Sequence, residues 1–169
     1  GDNRSVPSLY PNGFTPHITS NITDVSASAG IRHTMKNGWV ADFSNTYGSN
    51  LFHYYIKGTN NASMKDASPT DFDAGGHSLS QNVTGLDFSK YFEEIVSGLN
   101  LAYGLEYRTE QFGIFAGEEA SYALYDNNGR PIIDPINQTP ATDSNGDALP
   151  GGAQGFPGYS PANVVDRGR

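Results

Sequence analysis

The chain has 169 residues, a formal net charge of −8 and only 17% charged residues. Its ten Lys and Arg form no basic run, which excludes a nucleic-acid partner, since phosphate neutralisation needs clustered cations. It has no Cys, hence no disulfide framework, thiolate metal site or cysteine nucleophile, and no apolar run nears the ~18 residues of a transmembrane helix. Aromatic residues at 12% argue against disorder, and with abundant Gly, Asn, Ser and Thr they point to strands and turns.

Proline placement segments the chain. Pro7, Pro11 and Pro16 precede a stretch broken only by Pro69, and Pro131 opens a series of six that runs to Pro161. Proline removes a ladder donor, so 17–68 and 70–130 are where paired strands can run. Residues 1–20 are a predicted loop, and Gly1-Asp2-Asn3-Arg4 has neither the basic nor the apolar part of a secretory leader.

The first predicted strand is 21–34. Val25, Ala27, Ala29 and Ile31 share one face, with Asp24, Ser26, Ser28 and Arg32 on the other, the period of two of a half-buried strand. Lys36-Asn37-Gly38 predicts a tight Asn-Gly hairpin turn, because both residues tolerate positive φ. The second strand, 38–58, places Trp39, Ala41, Phe43 and Tyr47 on one face. Beyond Gly48 the apolar phase moves to Phe52, Tyr54 and Ile56, which predicts a bulge near Gly48.

Residues 59–72 read as a loop, and the third strand is 74–92, with Leu86 and Phe88 against Asp87 and Ser89. The connection 93–98 is short. In the fourth strand, 99–116, Leu99, Leu101, Tyr103, Leu105 and Tyr107 alternate with Asn100, Ala102, Gly104, Glu106 and Arg108. From 117 to 169 the prolines and the turn signals Asp126-Asn-Asn-Gly129 and Asp143-Ser-Asn-Gly146 predict a long functional loop without regular structure.

Long and short connections thus alternate along an all-β, antiparallel up-and-down meander, as in a transmembrane β-barrel with long extracellular loops and short periplasmic turns. On that expectation Val25, Ala27, Ala29, Ile31, Trp39, Phe43, Leu86, Phe88, Leu99, Leu101, Tyr103 and Leu105 face lipid, while Asp42, Glu106, Arg108 and Glu110 face the lumen. Trp39, Tyr47, Phe92 and Tyr107 suit the lipid–water interface. Four strands fall short of the roughly eight that close a barrel, so the chain is expected to be a fragment of one. A soluble or secreted β-sandwich shares the two-faced pattern. As a carbohydrate-binding module it would offer Trp39, Tyr54, Tyr55 and Tyr159 for sugar stacking.

Several runs carry a family likeness. Tyr10-Pro-Asn-Gly-Phe14, Phe43-Ser-Asn-Thr-Tyr-Gly-Ser-Asn-Leu-Phe52, Ser80-Gln-Asn-Val-Thr-Gly-Leu-Asp-Phe-Ser89, Leu99-Asn-Leu-Ala-Tyr-Gly-Leu-Glu-Tyr-Arg-Thr-Glu-Gln-Phe112 and Gly152-Ala-Gln-Gly-Phe-Pro-Gly-Tyr159 resemble the barrel region of TonB-dependent outer-membrane receptors. The resemblance implies a bacterial outer-membrane protein whose barrel of about 22 strands surrounds a plug. It implies energised uptake of a scarce large nutrient, namely a siderophore, cobalamin or a glycan. The implied partners are outer-membrane lipid, the plug domain of the same full-length protein, the TonB complex and the ligand. Residues 1–169 hold neither a plug nor a TonB box, and no cofactor is implied.

Other constellations read as structural. Asp143-Ser-Asn-Gly-Asp147 starts like a calcium loop but has Ala148 and Gln154 where an EF-hand has Gly and Glu, so a turn is expected. His17, His33, His53 and His77 are too dispersed for a zinc signature. Glu93-Glu94 and Glu118-Glu119 read as solvated acids. The sequons at Asn21, Asn61, Asn82 and Asn137 read as chance products of an Asn- and Thr-rich chain. No nucleophile elbow, phosphate loop or His-Glu-x-x-His occurs, and no enzymatic activity is expected.

Overall fold

Each of the four predicted strands pairs with its sequence neighbour. In the computed structural model, which describes residues 2–169, β1 is His17–Thr34, β2 Val40–Lys57, β3 Asp71–Phe92, β4 Leu99–Phe115 and β5 Val165–Gly168. The sheet order is β1-β2-β3-β4-β5, an all-β antiparallel up-and-down meander.

Three of the predicted strand ends, at 34, 92 and 99, are kept, and the other five shift by one to four residues. β1 starts at His17 inside the predicted loop 1–20, directly after Pro16. There Thr19 holds on by a hydroxyl bond to the Tyr55 carbonyl (3.1 Å). β5 lies inside the predicted loop 117–169. Its four residues contain one apolar side chain, too few to show a period. Glu110 and Arg169 exchange both backbone bonds (2.8 and 2.9 Å), the mark of an antiparallel pair.

The predicted tight hairpin turn joins β1 and β2. Met35 N–H donates to the Trp39 carbonyl (2.7 Å) and Gly38 N–H to the Met35 carbonyl (3.0 Å). Only Gly38 takes a positive φ, 85°. This is a three-residue loop closed by a left-handed glycine, for which Gly is the one residue without a Cβ penalty.

The predicted bulge at Gly48 is absent. Asp24 meets Asn50 (2.7 Å), Ser28 meets Thr46 (2.9 Å) and Arg32 meets Asp42 (2.7 Å). Every step of four along β1 is matched by a step of four back along β2, on both sides of Gly48. Phe52, Tyr54 and Ile56 therefore continue Asn50's side of the strand. The local distortion lies in β3 instead, where Gly75 has φ 71° and its N–H donates to the Asp73 carboxylate (2.8 Å).

Two compact units are distinguished, and all four long strands contribute to both. The first takes in the N-terminal segment to Ile22, Leu51–His77 and Gly113–Asp166. The second takes in Thr23–Asn50, Ser78–Phe112 and Arg167–Arg169. Among the described residues every buried side chain belongs to the first unit, including Val6, Ile56, Phe72, Tyr125 and Leu149. The second buries none; in it, β1 is exposed along its whole length.

The first unit gives the long segment after β4 more order than expected. A helical turn at Glu119–Tyr122 and a 3-10 turn at Pro161–Asn163 punctuate it. Bridges join Tyr125 to Pro131, Asp126 to Pro140, Thr142 to Ala148 and Ala153 to Asn61. Both predicted Asp…Gly turns form, with Gly129 N–H donating to Asp126 and Gly146 N–H to Asp143. Asp143 spends one carboxylate oxygen on the N–H groups of Asn145 and Asp147 (2.8 and 2.9 Å). These bonds hold its carboxyl below the usual carboxylate range. The loop after β2 contains a 3-10 segment, Ala62–Ala67, capped by the buried Asn61.

Candidate functional site: a two-faced sheet and an aromatic cluster

Cross-strand contacts fix the two faces of the second unit. A Cβ on Gly104 would lie 2.0 Å from the Asp87 carboxylate, and one on Gly85 3.1 Å from the Ser44 hydroxyl. Directly opposed side chains share a face. Asp87 therefore shares its face with the even positions of β4, and with Ser44 and its neighbour Asp42 on β2.

The four predicted lumen residues all lie on this polar face, and each is partnered. Asp42 accepts from Arg32, and Glu106 from Arg108 (2.9 Å). Glu110 accepts from Gln81 (2.8 Å) and, through its other oxygen, from Arg169 (2.7 Å). These pairs are exposed, where an ion pair contributes at most about 1 kcal/mol. They define the character of the face more than its stability.

The twelve predicted lipid-facing residues share the opposite face. Phe88 stacks on Tyr103 (ring centroids 5.4 Å), and Trp39 meets Tyr103 edge-on (5.6 Å) and Phe92 (6.3 Å). Lys90 Nζ sits 4.9 Å over the Phe92 ring. This aromatic group gathers beside the two short turns. Further along the face the aliphatic side chains stand free, with Ile31 69% and Leu105 78% exposed.

One feature of this face escaped prediction. The Asn45 amide donates to Asn82 (2.9 Å) and to the Thr84 hydroxyl (2.8 Å), forming a polar knot among apolar neighbours. Counting in twos from Phe43 to Asn45 and Tyr47 would have located it. The three groups satisfy one another, which a polar group must do in an apolar medium.

In the first unit, rings from distant parts of the chain converge. Phe52 contacts Tyr54 (4.7 Å) and stacks on His77 (5.4 Å, 4° between planes). Tyr54 contacts Phe156 (5.5 Å) and Tyr159 (6.3 Å). Of the four aromatics expected in a sugar-stacking module, only Tyr54 and Tyr159 meet. Tyr55 bonds instead to His53 Nδ1 (3.1 Å), whose Nε2 lies 2.8 Å from Asp73. Trp39 belongs to the other unit's aromatic group.

The sequons differ in accessibility. Asn61 is fully buried and Asn82 is engaged with Asn45, whereas Asn21 and Asn137 are exposed. Comparison with protein-family models, curated protein sequences and solved structures gives no match to this chain.

Proposed function

We propose that this chain forms part of the wall of a bacterial outer-membrane β-barrel of the TonB-dependent receptor type, serving energised uptake of a scarce nutrient. The observation that carries this reading is the second unit. It is a sheet with an aliphatic and aromatic face, an ion-paired opposite face and no buried side chain among the described residues. In water such a sheet gains almost nothing from the hydrophobic effect, because its apolar side chains remain wet. Lipid on one face and a polar lumen on the other would satisfy both.

The aromatic group of Trp39, Phe88, Phe92 and Tyr103 supports the reading, since aromatic girdles mark the lipid–water boundary of such barrels. It would set the two short turns on the periplasmic side and the long connections outside. A sandwich is less favoured: it needs a second sheet against the first, and the described residues form one. Closure takes about eight strands or more, so further strands, a plug and the TonB complex belong to the proposal.

The chain's single tryptophan provides the test. Trp39 fluorescence is measured after reconstitution into vesicles of phosphatidylcholine brominated at different acyl depths. Strong quenching by bromines near the headgroup, weakening toward the bilayer centre, is the expected result. A water-soluble monomer whose Trp39 is quenched by iodide and not by brominated lipid would sink the proposal.

A further inference from the structure

We infer that the ring cluster of Phe52, Tyr54, His77, Phe156 and Tyr159 is a binding platform for a neutral carbohydrate; this rests on the receptor reading above and names its nutrient class. The platform is built on fixed backbone. Tyr159 N–H donates to the Ala74 carbonyl (3.0 Å), and the Tyr159 carbonyl accepts from Gly117 N–H (2.9 Å). Gly155 and Gly158 have φ of 101° and 81°. A Cβ on Gly158 would stand 2.4 Å from the Ala74 carbonyl oxygen, so only glycine lets this segment lie so close. Phe156 and Tyr159 are thereby held against Tyr54, which with Phe52 projects from β2.

The chemistry of the cluster selects the ligand. All five residues are partly exposed. Phe52 and His77 cover one face of each other by stacking, whereas Tyr54, Phe156 and Tyr159 meet at steep angles, 57° to 89°, which leaves ring surface open. Neither the Tyr54 nor the Tyr159 hydroxyl bonds to another group among the described residues. Ring faces beside open hydroxyls match a sugar, which offers a C–H face and a rim of hydroxyls. No Lys or Arg joins the cluster.

Charge points the same way. The first unit holds four basic residues, Arg4, Lys57, Lys65 and Arg130, against eleven acidic ones, giving −7 of the chain's −8. An anionic ferric chelate would meet a repulsive field with no Lys or Arg in the ring cluster to bind it. A neutral glycan pays no such penalty.

The test uses the protein reconstituted in detergent micelles. Saturation-transfer NMR is recorded with neutral gluco-, galacto-, manno- and xylo-oligosaccharides, alongside a ferric tris-catecholate and cyanocobalamin. At least one neutral oligosaccharide is expected to bind. Tyr159→Ala should weaken it about tenfold, the equivalent of one lost ring contact. Tyr159→Phe should weaken it less, and Trp39→Phe not at all. The backbone bonds of residue 159 do not need its side chain, so these variants keep the segment in place. Binding of no saccharide, binding of the chelate or cobalamin alone, or affinity unchanged in Tyr159→Ala and Tyr54→Ala would overturn the inference. Brominated-lipid quenching of Trp39 in vesicles of the same preparation separates the two readings. Quenching without sugar binding defeats only the platform, whereas sugar binding without quenching defeats the membrane placement.

Discussion

Asp24 and Asn50 face each other across β1 and β2, the Asn50 amide 2.7 Å from the Asp24 carboxylate. Because Ser28 and Thr46 repeat that relationship four residues on, β2 keeps one phase past Gly48. Its polar side runs into Phe52, Tyr54 and Ile56. The change from polar to aromatic is thus a change in what the strand meets. Ile56 is wholly buried in the first unit, and Tyr54 receives rings from the segment around residue 156.

Asn61 is the hinge of the first unit's polar interior. Its Nδ2 donates to the carbonyls of Ala120 (2.9 Å) and Ala123 (2.8 Å), and its Oδ1 accepts from the Ser63 hydroxyl (2.7 Å). Truncation strands several buried groups at once, each costing roughly 1–3 kcal/mol. Asn61→Ala should destabilise the protein by about 3 kcal/mol or more in urea unfolding, while Asn128→Ala, on an exposed turn, should change little. Equal stability in the two variants would show that the buried bonds contribute nothing.

These two regions differ in how legible they are from sequence. The second unit is readable because strand alternation is local, and Leu99 to Tyr107 declare their faces without reference to any other residue. The first unit depends on pairings between distant positions, such as Gln154 N–H with the Asn60 carbonyl (3.1 Å) and Ala153 N–H with that of Ser121 (2.7 Å). No period encodes such bonds. A buried asparagine also reads in sequence like any loop asparagine. Tyr54 and Tyr159 stand out as aromatics, yet their meeting depends on how the chain returns around residue 156, and no local pattern carries that path.

The β3–β4 turn carries strain. Val96 and Ser97 take φ of 48° and 65°, and Gly98 N–H closes onto the Ile95 carbonyl (2.8 Å). Positive φ at both central residues favours Asn-Gly, and left-handed backbone costs an ordinary residue about 1–2 kcal/mol. Val96→Asn with Ser97→Gly should therefore stabilise the protein by about 1–2 kcal/mol in the same urea assay. A loss of stability would mean that the exposed Val96 side chain has a role this turn geometry does not reveal.

Tyr125 supplies a pH test. Burial, with Glu119 beside its hydroxyl (3.2 Å), pushes its pKa up to about 12 from 10.0. The folded state holds this proton more tightly than the unfolded state. The contribution is therefore complete below pH 10 and is lost as pH rises toward about 12. Stability should fall across that window. Tyr125→Phe should flatten the fall, because no proton is then released there on unfolding. An unchanged alkaline profile in Tyr125→Phe would assign the loss to other groups.

The sharpest test of the membrane reading lies on β4, where depth and exposure make different demands. Phe88 stacks on Tyr103, and Tyr103 meets Trp39. The aromatic group therefore sits level with the first residues of β4, and Leu99 lies beside the short turn. Leu105 stands deeper along the same face and is 78% exposed. If lipid covers this face, Leu105→Arg places a cation roughly 7 Å of strand beyond the aromatic level, at a cost between the ~0–1 kcal/mol of the interface and the ~2–4 kcal/mol of the midplane, whereas Leu99→Arg stays at the interface for about 0–1 kcal/mol. Ala102→Arg points to the polar face and should leave folding intact. If water covers the face, the ranking collapses, because Leu99 and Leu105 are both solvated already and an exposed substitution changes stability by only about 0.5 kcal/mol. Unfolding in urea from phosphatidylcholine vesicles reads the difference. A cost confined to Leu105→Arg supports the bilayer, and equal, small effects at both positions would remove the physical reason for placing this sheet in one.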